Sequence, residues 1–145
     1  MPEDCRLKVA FGADDDNECV QAVRRFLSEK TELRTSPEDE LWPAMASNVA
    51  KRVAAGEVDL GVVMCWTGTG TAIAANKVPG IRAAQAADAW TARGARLWND
   101  ANVLALSLKR LAPDVAIECV RAFLDTKESD PEEAEAIALL SSLDR

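Results

Sequence analysis

The chain has 145 residues, of which 48% are hydrophobic and 28% are charged, and none is a histidine. This length and composition predict one globular domain across residues 1–145 with a substantial core. The lack of histidine excludes Ser-His-Asp triads, Cys-His dyads, HExxH zinc sites and proton transfer by imidazole. Acid–base chemistry would have to use carboxylates, cysteine, lysine or backbone dipoles.

The charge distribution bears on the class of partner. The net charge is −7, the isoelectric point is near 4.7, and no stripe of basic residues could follow a nucleic-acid backbone. No segment is long and apolar enough to cross a bilayer, and residues 1–8 (MPEDCRLK) lack the apolar core of a signal peptide. We therefore expect a cytoplasmic protein that binds no nucleic acid and no membrane.

Short apolar runs alternate with amphipathic segments along the chain. Strands are predicted at residues 7–11, 59–65, 81–84 and 102–106, and the polar segment 31–40 holds at most one short strand. Helices are predicted after the polar cap cluster 13–17 and at residues 41–55, 72–76, 88–97, 113–124 and 131–143. This alternation predicts an α/β protein, a three-layer sandwich with a Rossmann-like, five-stranded parallel sheet.

Ligands of such sheets bind beyond the carboxyl ends of the strands. The corresponding segments of this chain are residues 12–16, 65–70, 85–88 and 107–110. The sequence CWTGTGT at residues 65–71 joins a buried strand to a helix. Backbone N–H groups at such a helix start can bind a phosphate, a carboxylate or a developing oxyanion, and they favour thiolate character in Cys65.

The residue spacing in this loop can be compared with three motifs that bind nucleotides or phosphate. A dinucleotide fingerprint needs Gly or Ala three residues after Gly70, where Ile73 stands. A Walker A loop needs a lysine that is absent after Gly70. A cysteine-phosphatase cradle needs arginine where Thr71 stands. One structural alternative stays open, in which the glycines only permit a tight crossing between strand and helix.

The cysteines at positions 5, 19, 65 and 119 form no CxxC pair, so they predict neither a zinc knuckle nor a dithiol redox motif. Cys19 and Cys119 lie on the apolar stripes of predicted helices, where burial as packing residues is expected. Cys5 is near the N-terminus and is expected to be inert. Cys65 alone lies in a loop suited to chemistry.

Two longer blocks, CWTGTGTAIAANKVPGIRAA and ARLWNDANVLAL, occupy residues 65–84 and 95–106. They resemble the ribose-5-phosphate isomerase B and galactose-6-phosphate isomerase family, whose members typically show CGTGxGxxxxANKxxGIRAA and HNDANVLALG. Trp42 and Pro43 stand where that family has Tyr-Pro. The resemblance covers about residues 7–125.

The resemblance implies an aldose–ketose isomerase that moves a proton through a cis-enediolate without a metal or cofactor. Cys65 matches the base, Asp14 and Thr67 would act as catalytic polar groups, and the glycine loop would stabilise the enediolate oxygen. The family forms homodimers or larger assemblies, such as tetramers, whose sites are shared between subunits, and the C-terminal helix would lie at that interface. The implied substrate-binding residues are Asp15, Gly68, Thr69, Gly70, Trp98, Asn99, Lys109 and Arg110, and Asn99 would reach the site of the neighbouring subunit.

This sequence departs from the family pattern at positions that the resemblance places in the active site. Asp15 and Trp98 stand where the family has histidines, the second of which opens the sugar ring, and Trp66 replaces a glycine. An acidic segment at residues 128–133 stands in place of a histidine and arginines that bind phosphate. These departures predict weak selection for a phosphorylated sugar and a substrate that is neutral, short or already open-chain.

Two other functions remain compatible with the sequence. Because both histidines are missing, the chain could be a non-catalytic or partner subunit of the same fold that binds a sugar-like ligand. It could also perform a different C–H or C–O chemistry on such a ligand. Retention of Cys65 in an intact loop favours the isomerase.

Overall fold

Within residues 6–37 and 39–144, which the computed structural model describes, the chain forms a five-stranded sheet flanked by six α-helices. No helix in this part of the chain has the length and apolar character needed to cross a membrane. The strands are β1 (Lys8–Ala13), β2 (Glu32–Thr35), β3 (Leu60–Cys65), β4 (Ala83–Gln85) and β5 (Val103–Ser107). The helices are α1 (Glu18–Lys30), α2 (Trp42–Ala54), α3 (Thr69–Ala75), α4 (Ala89–Asn99), α5 (Pro113–Asp125) and α6 (Ala134–Ser141), and a 3₁₀ turn at Pro131–Glu133 precedes α6.

The sheet has the strand order β2-β1-β3-β5-β4, and every pair of neighbouring strands is parallel. All six residues of β3 and all five residues of β5 are buried. Strands that are covered on both faces read as continuous apolar runs, which is how both strands appear in the sequence. The predicted three-layer α/β sandwich with a five-stranded parallel sheet is confirmed.

Two apolar cores hold the helices against the sheet. On one face, α1, α4 and α5 pack around a core that includes Phe11 and Phe123, both at most 1% exposed. Full burial of a side chain of this size contributes roughly 1.5–3 kcal/mol. On the other face, α2 and α3 pack around Met45 and Val63. The helix periodicity in the sequence therefore identified the buried faces correctly.

Asn17 fixes the start of α1 at the carboxyl edge of the sheet. Its side-chain oxygen accepts a hydrogen bond from the Val20 N–H (3.0 Å), as an N-cap residue does. Its side-chain N–H group donates to the carbonyl of Leu108 (2.8 Å), just beyond β5. The segment that follows β1 is thereby tied to the end of β5.

The edge strand β4 begins at Ala83, two residues later than predicted. The Arg82 N–H donates to the side-chain oxygen of Asn102 (2.8 Å), and the side chain of Asn76 pairs with both the N–H and the carbonyl of Ala83. Asparagine side chains therefore satisfy backbone groups that the strand ladder would otherwise leave open. The ANK, GIRAA and NDAN blocks of the sequence brace this edge of the sheet.

The C-terminal segment forms a shorter helix than the predicted 131–143, because Pro131–Glu133 adopts a 3₁₀ turn. Its ends contact the rest of the chain, since the Asp130 N–H donates to the Leu97 carbonyl and Asp144 accepts from the Gly80 N–H. No residue of α6 itself is buried. The apolar side chains of this helix are therefore not covered by any other part of residues 6–37 and 39–144.

Candidate active site

A cavity of about 360 Å³ opens at the carboxyl edge of the sheet, between β1 and β3. The chain that leaves β1 continues to β2, which lies on the other side of β1 from β3. The Asp14 N–H donates to the carbonyl of Met64 (3.1 Å), so the ends of these two strands are adjacent. Such a point of divergence is where ligands of open α/β sheets bind. The cavity is lined by Asp14, Trp42, Cys65, Trp66, Thr67, Thr69 and Gly70.

Cys65 is the last residue of β3 and only 6% exposed. Its Sγ accepts a hydrogen bond from the Gly68 N–H (3.2 Å) and lies 3.4 Å from the hydroxyl oxygen of Thr71. The Thr71 hydroxyl also lies within bonding distance of the Gly68 carbonyl (3.3 Å). An N–H group directed at sulfur stabilises a thiolate, which is the form that acts as base or nucleophile.

Gly68 is required by the geometry of this crossing. Its φ of 81° lies in the left-handed region, and a Cβ placed there would lie 3.0 Å from the carbonyl carbon of Leu106. This conformation lets α3 begin at Thr69, three residues earlier than predicted. Gly68 therefore permits the tight crossing between strand and helix that the structural alternative described. Its N–H also donates to Cys65 Sγ, so the crossing is not its only contribution to the site.

Side chains from two neighbouring strands hold the loop at residues 66–68 in place. Gln85, at the end of β4, donates from Nε2 to the Thr67 carbonyl (2.7 Å). Ser107, at the end of β5, donates from Oγ to the Trp66 carbonyl. The Leu108 N–H donates to the Cys65 carbonyl (3.0 Å). These contacts preorganise the loop, which lowers the cost of arranging dipoles around a developing charge.

Asp14 lies at the cavity, and one of its carboxylate oxygens is inaccessible to solvent and has no hydrogen-bond partner among the described residues. Burial raises the pKa of this carboxyl, and the neighbouring charge of Asp15 raises it further. A carboxyl with a raised pKa keeps its proton to a higher pH than a free carboxyl does, which suits it to act as a general acid. Asp15 is exposed, and its Oδ1 accepts from the Asp16 N–H (2.8 Å).

The remaining predicted residues of the carboxyl edge are exposed around the cavity. The hydroxyls of Thr67 and Thr69 lie 2.6 Å apart, and the Thr69 N–H donates to the Thr67 hydroxyl (3.3 Å). The Lys109 Nζ lies 4.4 Å from the centroid of the Trp66 ring. Arg110 follows Lys109, and its backbone N–H donates to Ser107 Oγ (3.0 Å). The ammonium group of Lys109 therefore stands beside a wall of the cavity.

Trp98 and Asn99 do not join this site within one chain. They end α4, which starts at the carboxyl edge after β4 and runs back to the amino edge before β5. The five residues of β5 span ~17 Å between these edges. Trp98 packs instead against Trp90, with ring centroids 5.4 Å apart.

The acidic segment at residues 128–133 also lies at the amino edge. The Asp130 N–H donates to the Leu97 carbonyl (2.8 Å), in the last turn of α4. The guanidinium of Arg96, in the same turn, donates to the Lys127 carbonyl (3.2 Å). The sequence suggested that these acids would lie at the site and oppose phosphate binding. Within one chain they lie instead on the opposite edge of the sheet from Cys65.

Sequence reasoning did not assign Trp42 or Thr71 to the site, and it placed Trp66 there without naming it as a binding residue. Thr71 lies two helix positions after Thr69 and is fully buried against Cys65. Trp42 comes from α2 and contacts Gly70, in the first turn of α3 on the same face of the sheet, which no local pattern reveals. Of these three residues, only Trp66 could be linked to the site from the sequence, because it occupies a glycine position of the resembled family.

Across residues 6–37 and 39–144, no three His, Cys, Asp or Glu side chains come together as a group that could bind a metal ion. The acidic and thiol groups of the cavity are Asp14 and Cys65 alone.

We expect iodoacetamide to label Cys65 faster than Cys19 or Cys119 near neutral pH. Burial raises the pKa of Cys19, and raises that of Cys119 to about 11, so both carry little thiolate. Cys65 borders the cavity and receives an N–H hydrogen bond. Peptide mass mapping over time measures the three rates in a Cys5→Ser background, since Cys5 lies outside the described residues. Equal rates in the folded protein would contradict a special role for Cys65.

Comparisons with known proteins agree with this fold and loop. The family whose sequence model matches, described as Ribose/Galactose Isomerase, covers residues 9–140. D-erythrulose-4-phosphate isomerase 2 of Mycolicibacterium smegmatis is 40% identical over 140 residues, covering 90% of this chain and 91% of the relative. Ribose-5-P isomerase B of Listeria innocua is 34% identical over 145 residues, covering 96% and 98%.

A solved structure of ribose-5-phosphate isomerase B from Clostridium thermocellum is 32% identical to this chain. It superimposes with a TM-score of 0.87 and covers 94% of this chain and 97% of that one. Because sequence and fold agree over almost the whole length, this protein belongs to the ribose/galactose isomerase family.

Proposed function

We propose that this protein is an aldose–ketose isomerase that acts on an open-chain sugar phosphate, with Cys65 as the base. The observation that carries the proposal is the position of the Cys65 sulfur in the cavity, with the Gly68 N–H directed at it. The Mycolicibacterium smegmatis relative supports the substrate class, because its name specifies a four-carbon sugar phosphate. Such a sugar cannot close a five-membered ring through its phosphorylated terminal oxygen.

The absence of histidine fits an acyclic substrate. A cyclic aldose must be opened by a group that moves a proton from its anomeric hydroxyl to its ring oxygen, and no imidazole exists to do so. An acyclic sugar phosphate enters the reaction without that step.

The proposed reaction uses two groups for proton transfer. The thiolate of Cys65 removes the proton from the carbon beside the carbonyl, which gives a cis-enediolate, and returns it to the neighbouring carbon. Asp14, whose pKa is raised by burial, exchanges a proton with the two enediolate oxygens. The Thr67 hydroxyl and the Gly70 N–H, at the start of α3, stabilise the negative charge. No step is assigned to a metal ion.

Lys109 and Arg110 are the proposed partners of the phosphate group. Both follow β5 at the edge that carries Cys65, and both side chains are exposed. The acids at residues 128–133 lie at the other edge of the same chain, so the repulsion expected from them does not act within one subunit. In an assembly in which a partner supplies Trp98 to the site, the partner's acidic segment would approach the site with it, because Asp130 is bonded to Leu97, and the expected weak selection for phosphate would stand.

The proposal is tested by incubating the protein with D-erythrulose 4-phosphate and D-ribulose 5-phosphate and following aldose formation by NMR. We expect conversion of the four-carbon ketose. The second candidate function is a non-catalytic partner subunit, which the absence of histidine favours. Binding of both ketoses without conversion of either would support that candidate and contradict the isomerase.

We also propose that the protein works as a homodimer or tetramer in which the partner supplies Trp98 and Asn99. In α6, Leu139 is 67% exposed, and Leu143 beyond its end is 69% exposed, so a partner is the proposed cover. Light scattering at micromolar concentration is expected to give at least twice the chain mass of 15.6 kDa. The double variant Leu139→Glu/Leu143→Glu should lower that mass. A monomeric wild-type protein would contradict this proposal.

A further inference from the structure

Trp66 directly follows Cys65 and lines the same cavity. Its carbonyl accepts a hydrogen bond from Ser107 Oγ, so its backbone is fixed to the end of β5. Its indole is packed on one side by the Lys109 side chain, with Nζ 4.4 Å from the ring centroid. A cation held over an indole face restrains both side chains. The ring is therefore a positioned wall of the cavity although it is 58% exposed.

Trp42 supplies a second indole to the cavity from α2. A Cβ added at Gly70 would lie 2.9 Å from Cζ3 of Trp42, so this ring rests directly on the glycine backbone. Two rings, from Trp42 and Trp66, therefore line a cavity that also contains Cys65. Its volume of about 360 Å³ is at the lower end for ligand sites, which commonly range over ~300–1,000 Å³.

The Trp66 ring lies next to both the proposed base and a cation. Cys65 and Trp66 are consecutive and line the same cavity, and the ammonium group of Lys109 lies over the Trp66 ring. A substrate with its reacting carbon at the sulfur and its phosphate at Lys109 would therefore pass this side chain. A longer carbon chain would place its phosphate beyond Lys109 or would have to displace the indole.

We propose that Trp66 is a specificity-determining residue that restricts the substrate to a four-carbon sugar phosphate. This inference rests on the proposed isomerase function and adds the chain length of its substrate. Trp66 acts as the length stop, and the Lys109 side chain holds it in place. A smaller residue at this position would let the five-carbon homologue reach Cys65 and a cation together.

The test compares D-erythrulose 4-phosphate with D-ribulose 5-phosphate in the ketose-to-aldose direction. Both ketoses are acyclic, so ring opening does not enter the comparison. O5 of D-ribulose 5-phosphate carries the phosphate, and D-erythrulose 4-phosphate has no oxygen that could close a five-membered ring on its C2 carbonyl. The measured quantity is the ratio of kcat/KM for the five-carbon ketose to kcat/KM for the four-carbon ketose. We expect Trp66→Gly to raise this ratio by about 10-fold or more, the scale at which one carbon unit is discriminated.

Trp66→Phe is the matched variant, since it keeps an aromatic wall and should leave the ratio within about 3-fold of wild type. Trp66→Val serves as the second small residue if circular dichroism shows that Trp66→Gly is unfolded. An unchanged ratio in a folded small-residue variant that still converts both ketoses would overturn the inference while leaving the isomerase intact. A wild-type protein that converts neither ketose would overturn the proposed function, and this inference with it.

Discussion

Replacing Cys65 with alanine is expected to lower kcat by about 10²–10⁴-fold, the usual scale for loss of a general base. This corresponds to roughly 2.7–5.5 kcal/mol of activation free energy. The reason is that this sulfur is the proposed base, since it lines the cavity and accepts the Gly68 N–H hydrogen bond. Steady-state kinetics on the best ketose phosphate measure the change.

Cys19→Ala is the matched control for this substitution. Cys19 lies in the first turn of α1, is 3% exposed in the core and does not line the cavity. Its replacement should lower the free energy of unfolding by about 1 kcal/mol and leave kcat nearly unchanged. If folded Cys65→Ala, checked by circular dichroism, keeps kcat within about 3-fold of wild type, Cys65 is not the base.

Ribose 5-phosphate is expected to be a poor substrate, with kcat/KM below about 10⁴ M⁻¹s⁻¹, the low end for ordinary enzymes. This aldose exists mainly as a furanose, because its O4 is free to close the ring. No histidine is present in the chain to open it. The enzyme would have to wait for the open-chain aldehyde to form spontaneously.

The dependence of the initial rate on enzyme concentration distinguishes slow spontaneous ring opening from weak binding of ribose 5-phosphate. With ribose 5-phosphate, the initial rate should stop rising as enzyme is added, because spontaneous ring opening becomes limiting. With D-ribulose 5-phosphate, the initial rate should stay proportional to enzyme concentration. A rate on ribose 5-phosphate that stays proportional and a kcat/KM above about 10⁴ M⁻¹s⁻¹ would assign ring opening to Asp14, Asp15 or Thr67.

The sheet and the cysteine loop could be predicted because their determinants are local. The apolar runs of β3 and β5 can only be buried on both faces, and parallel strands bring their carboxyl ends to one edge. The residues Cys65 and Gly68, which contact each other, are only three positions apart, so the sequence pattern of the loop was enough to predict that they lie together. Asp14 could be predicted as well, since it directly follows β1.

The rest of the site depends on contacts between distant parts of the chain. Trp42 reaches Gly70 from another helix, and Lys109 reaches Trp66 from another strand end. The start of β4 depends on the side chain of Asn102, far along the sequence from Arg82. Hydrophobic periodicity contains none of this information, because it reports which face is buried and not what that face meets.

Solvent exchange tests the central claim of enediolate chemistry at Cys65 most directly. The protein is incubated with D-erythrulose 4-phosphate in D₂O, and NMR follows deuterium at C1 of the ketose and at C2 of the aldose. A thiol proton exchanges with solvent, so we predict deuterium at both carbons with wild type and at neither with Cys65→Ala. Isomerisation without deuterium at either carbon, or equal incorporation by Cys65→Ala, would contradict the account.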